Sequence, residues 1–266
     1  MPKIKINDIN MYYERYGEGQ PLVLIAGFSA DHTVWSMVIE PLAKHYDVIV
    51  FDNRGAGQTD VPEGAYSITQ LAEDVVGLCQ ALNVDKAHFI GNSMGGYILQ
   101  ELAYRHSQYV KSAIISNSTF ATHTPFHYYV AAQLAMIKAN LAPEILMRAS
   151  SAWAFSYQFL SQPDILDSLI DLALNNPYPF TVTGYEGQYA ALDAFNSREW
   201  LDKINVPTLV VGADQDLIFS ESSIKALADA IPRAEYYCFK ACGHLPFIEY
   251  PEQFSELALN YFKKFD

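Results

Sequence analysis

The chain has 266 residues, enough for one large α/β domain or a core with an insertion. Half of them are hydrophobic and only 18% are charged, which excludes a disordered chain. The net charge of −13 repels phosphate backbones and anionic lipid surfaces, so neither nucleic acid nor a membrane surface is expected as a partner.

Lys3 to Ile6 and Met11 to Tyr16 alternate apolar and polar residues, as half-exposed antiparallel strands do. Before them, the opening "MPKIKINDINMYYERYG" holds no apolar stretch of signal-peptide length, and no later window has the length of a membrane span. A cytoplasmic location is the expectation. Three cysteines (Cys79, Cys238, Cys242) make no disulfide framework and are expected as reduced thiols. Pro21 to Gly27, "PLVLIAG", is a continuous apolar run, the mark of a strand covered on both faces. A helix is expected over Trp35 to His45, a buried strand over Asp47 to Asp52, and an amphipathic helix over Thr69 to Leu82. Lys86 to Gly91 reads as a strand, Gly95 to His106 as a helix and Val110 to Asn117 as a sixth strand. This strict alternation argues a parallel sheet with helices on both faces.

The rhythm breaks from Thr119 to about Leu201, where Ala, Leu and aromatic residues surround prolines at 125, 143, 163, 177 and 179. Several helices separated by proline turns are expected there. Alternation then resumes with a strand over Val206 to Asp214, a helix over Ser222 to Ala230, a strand over Ala234 to Phe239 and a helix over Pro251 to Phe262. The expected organisation is a core of residues 1–118 and 202–266 with an inserted helical cap of residues 119–201.

The chemistry centres on "AHFIGNSMGGY", residues 87–97. It sets Ser93 between Gly91 and Gly95 where a strand meets a helix. A turn that tight leaves no room for a Cβ on either side of its apex, and G-x-S-x-G is the pattern of a raised serine nucleophile. Such a serine needs a base, normally histidine, and a carboxylate to orient it. His244 follows a predicted strand in "KACGHLPFIEYPEQF", and Gly243 beside it permits a tight turn. Asp216 and Asp214 both follow a strand end in "VVGADQDLIFS"; Asp216 is preferred, with Asp214 in reserve. The order Ser…Asp…His is the one expected for a nucleophile elbow on this architecture. The backbone N–H groups of Met94 and Phe28 are the expected donors to a developing oxyanion. His123 and His127 are spaced as a helical metal pair, but Pro125 lies between them and no third ligand is evident, so no metal site is expected.

The motifs "LVLIAGF", "FDNRGAGQTD", "GNSMGG", "PTLVVGADQD" and "GHLPFIEYPEQF" occur in the order of the α/β-hydrolase fold, and the chain resembles that family over nearly its whole length. The resemblance implies an α/β core with a multi-helical lid after the sixth strand, and it places the acid at Asp216. The segment from "FDNRG" to "SMGG" is similar to 3-oxoadipate enol-lactonases and small carboxylesterases. Ala26 stands where the family often has histidine and Ser220 where it usually has proline. The implied activity is hydrolysis of a small carboxylic ester or lactone through an acyl-enzyme, without metal or organic cofactor. Its rate should rise with pH through a histidine pKa of about 6 to 7. The alternatives are a C–C bond hydrolase of aromatic ring-fission products and a hydrolase-fold ligand sensor with little turnover. Most aromatic residues of the insertion are expected to form its own small core, with a few, Trp153 and Phe155 the candidates, walling an apolar pocket. With only Arg148 and Arg198 as arginines in the insertion, a neutral or weakly polar substrate is expected.

Overall fold

A computed structural model describes residues 3–266. Its centre is an eight-stranded sheet of order β1-β2-β4-β3-β5-β6-β7-β8. The strands are β1 (Lys3–Ile6), β2 (Ile9–Tyr16), β3 (Pro21–Ile25), β4 (Asp47–Phe51), β5 (Ala87–Asn92), β6 (Val110–Ser116), β7 (Thr208–Ala213) and β8 (Glu235–Phe239). β2 pairs antiparallel with β1 and β4. Every pairing from β4 onward is parallel. The alternating strands thus lie at the antiparallel edge, and the continuous apolar runs lie inside, where both faces are covered.

Side chains two apart share a face. Val23, Ile25, Ile49 and Phe51 pack beneath α2 (Ile68–Ala81), α3 (Met94–Arg105) and α9 (Glu221–Ala230). Leu22, Leu24, Val48 and Val50 pack on the other face against α1 (Ser36–Ala43) and α11 (Pro251–Phe262). The helix expected from Trp35 begins one turn early as a 3₁₀ segment, His32–Trp35, capped by Asp31, and α1 runs from Ser36 with Pro41 inside it. Ser220, where proline is usual in the family, caps α9 by accepting from Ser223 N. The short helix α10 (Pro246–Glu249) lies in the stretch read as a loop.

Five helices stand between β6 and β7: α4 (Thr124–Lys138), α5 (Pro143–Ala154), α6 (Tyr157–Leu160), α7 (Pro163–Leu174) and α8 (Val182–Ala194). Pro125, Pro143 and Pro163 sit at the first turn of α4, α5 and α7, where a missing N–H is harmless. The two connections of this insertion are held side by side. Ala121 and Asn196 form an antiparallel bridge, and the fully buried Gln100 of α3 bonds both Thr119 O and Ser197 Oγ. No helix among the described residues is long and apolar enough to cross a membrane.

Candidate active site

Ser93 sits at φ 54°, ψ −117°, a conformation that costs a non-glycine residue about 1–3 kcal/mol. Its surroundings enforce it. A Cβ at Gly91 would lie 2.3 Å from Gly95 O, and one at Gly95 would lie 2.1 Å from Ile25 O. The two glycines therefore let the backbones of β5, α3 and β3 converge beneath the serine. Ser93 N donates to Ser116 O (3.0 Å) at the end of β6, and Ser118 Oγ donates to Ser93 O (2.9 Å). Ser93 keeps 8% of its surface exposed.

The carboxyl ends of the next three strands deliver the remaining groups. Asp216 follows β7 and His244 follows β8, with His244 Nδ1 2.7 Å from Asp216 Oδ2. The carboxylate is fully engaged. Oδ1 accepts from Ile218 N (2.8 Å) and Phe219 N (2.9 Å), while Oδ2 also accepts from Asn117 Nδ2 (2.9 Å). Asn117, just past β6, holds a positive φ of 46° and also donates to Gly243 O at 3.4 Å. It therefore links the strand end that anchors Ser93 to Asp216 and to the residue before His244, a role with no local sequence signal. Asp214 points elsewhere, accepting from Cys242 N at 3.4 Å. Ser93 Oγ makes no hydrogen bond among the described residues, and such contacts commonly tighten only when substrate binds.

Phe28 follows β3, and Met94 opens α3 beside Ser93. Neither backbone N–H has an acceptor among the described residues. Phe28 is positioned from the insertion, its ring 4.4 Å from that of Tyr185 in α8. The next residue, Ser29, at φ 56°, donates its N–H to Gln188 Oε1 (2.9 Å), and Gln188 Nε2 donates to Arg54 O (2.8 Å). Gln188 is fully buried. This cap-to-loop tie is invisible in sequence, because its partners are 159 and 134 residues away.

Phe219 stands between several of these groups. Its ring centroid is 5.7 Å from those of His244 and Phe126, 6.1 Å from Tyr97 and 6.4 Å from His123. Trp153 reaches this aromatic set through Tyr129. Phe155 stacks on Phe159 within the insertion. The two arginines of the insertion differ in their partners. Arg148 pairs with Glu144 and Asp167 on the surface, and Arg198 lies over the Phe120 ring at 4.3 Å.

His123 and His127 do not converge. His127 is occupied by Tyr189 OH and Thr122 Oγ1, whereas His123 lies edge-on to Phe120 and Phe219. Burial, with minor help from His127 and Arg198, lowers the His123 pKa. Asp31, His32 and Asp52 bring three potential ligand atoms within 4.8 Å of one another. Their hydrogen bonds assign them a structural task. His32 Nδ1 and His32 N both lie on Asp52 Oδ1, at 2.7 and 2.8 Å, and Asp52 Oδ2 accepts from Gln58 N. Burial alone would lower the His32 pKa, but the hydrogen bond to Asp52 and the charges of Asp52, Glu14 and Asp31 raise it.

A parallel sheet with this elbow and an acid–histidine pair at successive strand ends has a known counterpart. The family model described as the alpha/beta hydrolase fold matches residues 20–251. The chain belongs to the α/β-hydrolase fold family. Among relatives of this hydrolase, 3-oxoadipate enol-lactonase 1 of Acinetobacter baylyi is 28% identical over 247 residues, covering 92% of this chain and 90% of its own. The crystal structure of the enol-lactonase from Burkholderia xenovorans superposes with a TM-score of 0.88 at 26% identity, covering 98% of this chain and 100% of its own. Est816, described as an N-acyl homoserine lactone degrading enzyme, matches at 31% identity and a TM-score of 0.81, covering 97% of this chain and 99% of its own.

Proposed function

We propose that this α/β hydrolase cleaves a small, uncharged carboxylic ester or lactone through Ser93, His244 and Asp216. The observation that carries the reading is the 2.7 Å pairing of His244 Nδ1 with a carboxylate whose other lone pairs are filled. Asp216 then has one remaining task, to fix the tautomer in which Nε2 is free to accept a proton. His244 takes the Ser93 proton as Oγ attacks the carbonyl. The N–H groups of Phe28 and Met94 receive the oxyanion, each donor being worth about 3 kcal/mol in the transition state. His244 returns the proton to the leaving oxygen, and water repeats the cycle on the acyl-enzyme. In a lactone the leaving oxygen stays tethered until that second half-reaction.

The two structurally matched lactone-acting relatives support the bond class, and the scarcity of arginine in the insertion, with Arg148 already paired on the surface, supports the uncharged substrate. The test is turnover of p-nitrophenyl esters of graded acyl length and of unsubstituted and acylated γ-lactones, beside a vinylogous dienoate, with native protein and Ser93→Ala. Ester or lactone turnover lost in the variant is the expected result. Turnover of the dienoate alone would reverse the assignment of the bond.

A further inference from the structure

The insertion touches the loop bearing His244 along one short segment. Between α5 and α6 the chain is extended at Phe155 and Ser156. Ala154 O accepts from His244 N at 2.7 Å. Tyr157 N donates to Gln215 Oε1 (2.9 Å), in the residue before Asp216. Between these two contacts lies Glu249 of α10. Its Oε1 accepts from Ser156 N (3.0 Å) on the insertion side and from Gly243 N (2.9 Å) on the histidine side. The approach is close. A Cβ at Gly243 would lie 2.5 Å from Ala154 O and 2.7 Å from Phe155 C. Gly243 does not have a positive φ, so the glycine serves this contact and not the tight turn expected from sequence.

The carboxylate is costly where it sits. Burial first, and then the charge of Asp216, push the Glu249 pKa up, against the pull of the Ser156 and Gly243 donors. Cys242 and Tyr250 also face it, and it has no Lys or Arg partner among the described residues. A group that is electrostatically unfavourable, yet collects one N–H from each side of a contact, fits a role in holding the two sides together.

We propose that Glu249 is a positioning residue. It fastens the Ala154–Tyr157 segment to the loop carrying His244, so the base is in register with Ser93 only when this segment of the insertion is docked. The proposal rests on His244 being the base of the hydrolase reading. Glu249 itself touches no reacting atom. Its effect runs through the backbone of residues 243 and 244, and a shift of about 1 Å in a catalytic group can cost about a hundredfold in rate.

The experiment compares kcat and KM for p-nitrophenyl acetate, or for the best ester found above, in four variants of the full chain. Glu249→Ala is expected to lower kcat about tenfold or more, with KM changed by less than about threefold. Glu249→Gln keeps an acceptor oxygen in place and should recover most of kcat. Ser156→Pro removes the insertion-side N–H at a residue whose φ is already −67°. Ser156→Ala provides the reference for loss of the hydroxyl alone. The Pro variant should fall below the Ala variant in kcat, which decides the matter if Glu249→Ala does not fold. The proposal is overturned if Glu249→Ala keeps native kcat, if Glu249→Gln is as impaired as Glu249→Ala, or if the two Ser156 variants are equal. In those cases native protein still turns over and Ser93→Ala does not, so the hydrolase reading stands. A native protein inert to every ester and lactone fails that reading first and removes the positioning role of Glu249 with it.

Discussion

Replacing Asp216 by Asn probes the acid–imidazole pair without changing its shape. Asp216 Oδ1 is fixed by two backbone donors, Ile218 N and Phe219 N. The asparagine carbonyl oxygen must therefore take that position, because the alternative sets an NH₂ against two N–H groups. Its Nδ2 then faces His244 Nδ1, 2.7 Å away in the native arrangement, and the amide of Asn117 at 2.9 Å. His244 can bond to it only by becoming an acceptor at Nδ1. The proton moves to Nε2, and the imidazole cannot take a proton from Ser93. In a serine protease the same change costs about 10⁴ in kcat, which corresponds to about 5.4 kcal/mol of activation free energy. A loss of that order is expected for Asp216→Asn in ester hydrolysis at neutral pH. Asp214→Asn should stay within about threefold of native, since Asp214 is tied to Cys242 N and makes no contact with the imidazole. Initial rates across about pH 5 to 9, with melting curves to verify folding, make the comparison. An Asp216→Asn enzyme within tenfold of native would refute the tautomer argument, and the reverse ranking of the two aspartates would refute the assignment of the acid.

Gln188→Leu leaves Ser29 N and Arg54 O without their partners, each costing about 1–3 kcal/mol, and loosens the loop that presents Phe28 N. A fall in kcat of about 10- to 100-fold, with parallel weakening of a boronic-acid transition-state mimic, is expected; native kcat in a folded variant would remove Gln188 from the oxyanion site. His32 has a raised pKa in the folded state, so its charged form contributes stability that is fully present below its unfolded value of about 6.5 and is lost as pH rises through the folded value. The melting-temperature gap between native protein and His32→Gln should therefore be wider at about pH 5.5 than at about pH 9, and a constant or inverted gap would contradict the ion pairing with Asp52.

What could be read from the sequence follows the range of the interaction. Strands β3 to β7 were legible because a strand covered on both faces needs a run of apolar residues, and such a run is local. The elbow was legible for the same reason, since Gly91, Ser93 and Gly95 meet within one turn. Asp216 and His244 lie 28 residues apart, but each announces itself as a polar residue at a strand end. Asn117 also ends a strand, yet an Asn there serves many turns, and its bond to Asp216 spans 99 residues. Gln188 and Glu249 carry still less signal. Glu249 stands inside the histidine motif that marked the family, but its partner Ser156 is 93 residues away in the insertion. For Phe155 composition cannot separate a ring that lines a cavity from one that packs within the insertion, and its stacking partner, Phe159, is found only in the structure.

These long-range ties bear on how specificity could change in this protein. A substrate chamber roofed by a separate lid could be enlarged by shortening lid side chains, with effects confined to KM. Here the insertion meets the machinery at both ends. Tyr185, whose ring lies 4.4 Å from that of Phe28, precedes Gln188 by three residues on α8, so both act on the loop that carries Phe28 N, the proposed oxyanion donor. Phe155 lies between Ala154 and Ser156, which contact the histidine loop directly and through Glu249. A large-to-small exchange at either aromatic residue opens a cavity into which its neighbours relax only partly. The displaced neighbours are the ones that set the proposed oxyanion donor and the proposed base. Tyr185→Ala and Phe155→Ala should therefore lower kcat even for acetyl esters, the smallest of the acyl series. Restoring kcat should require a compensating residue of similar volume at the same position.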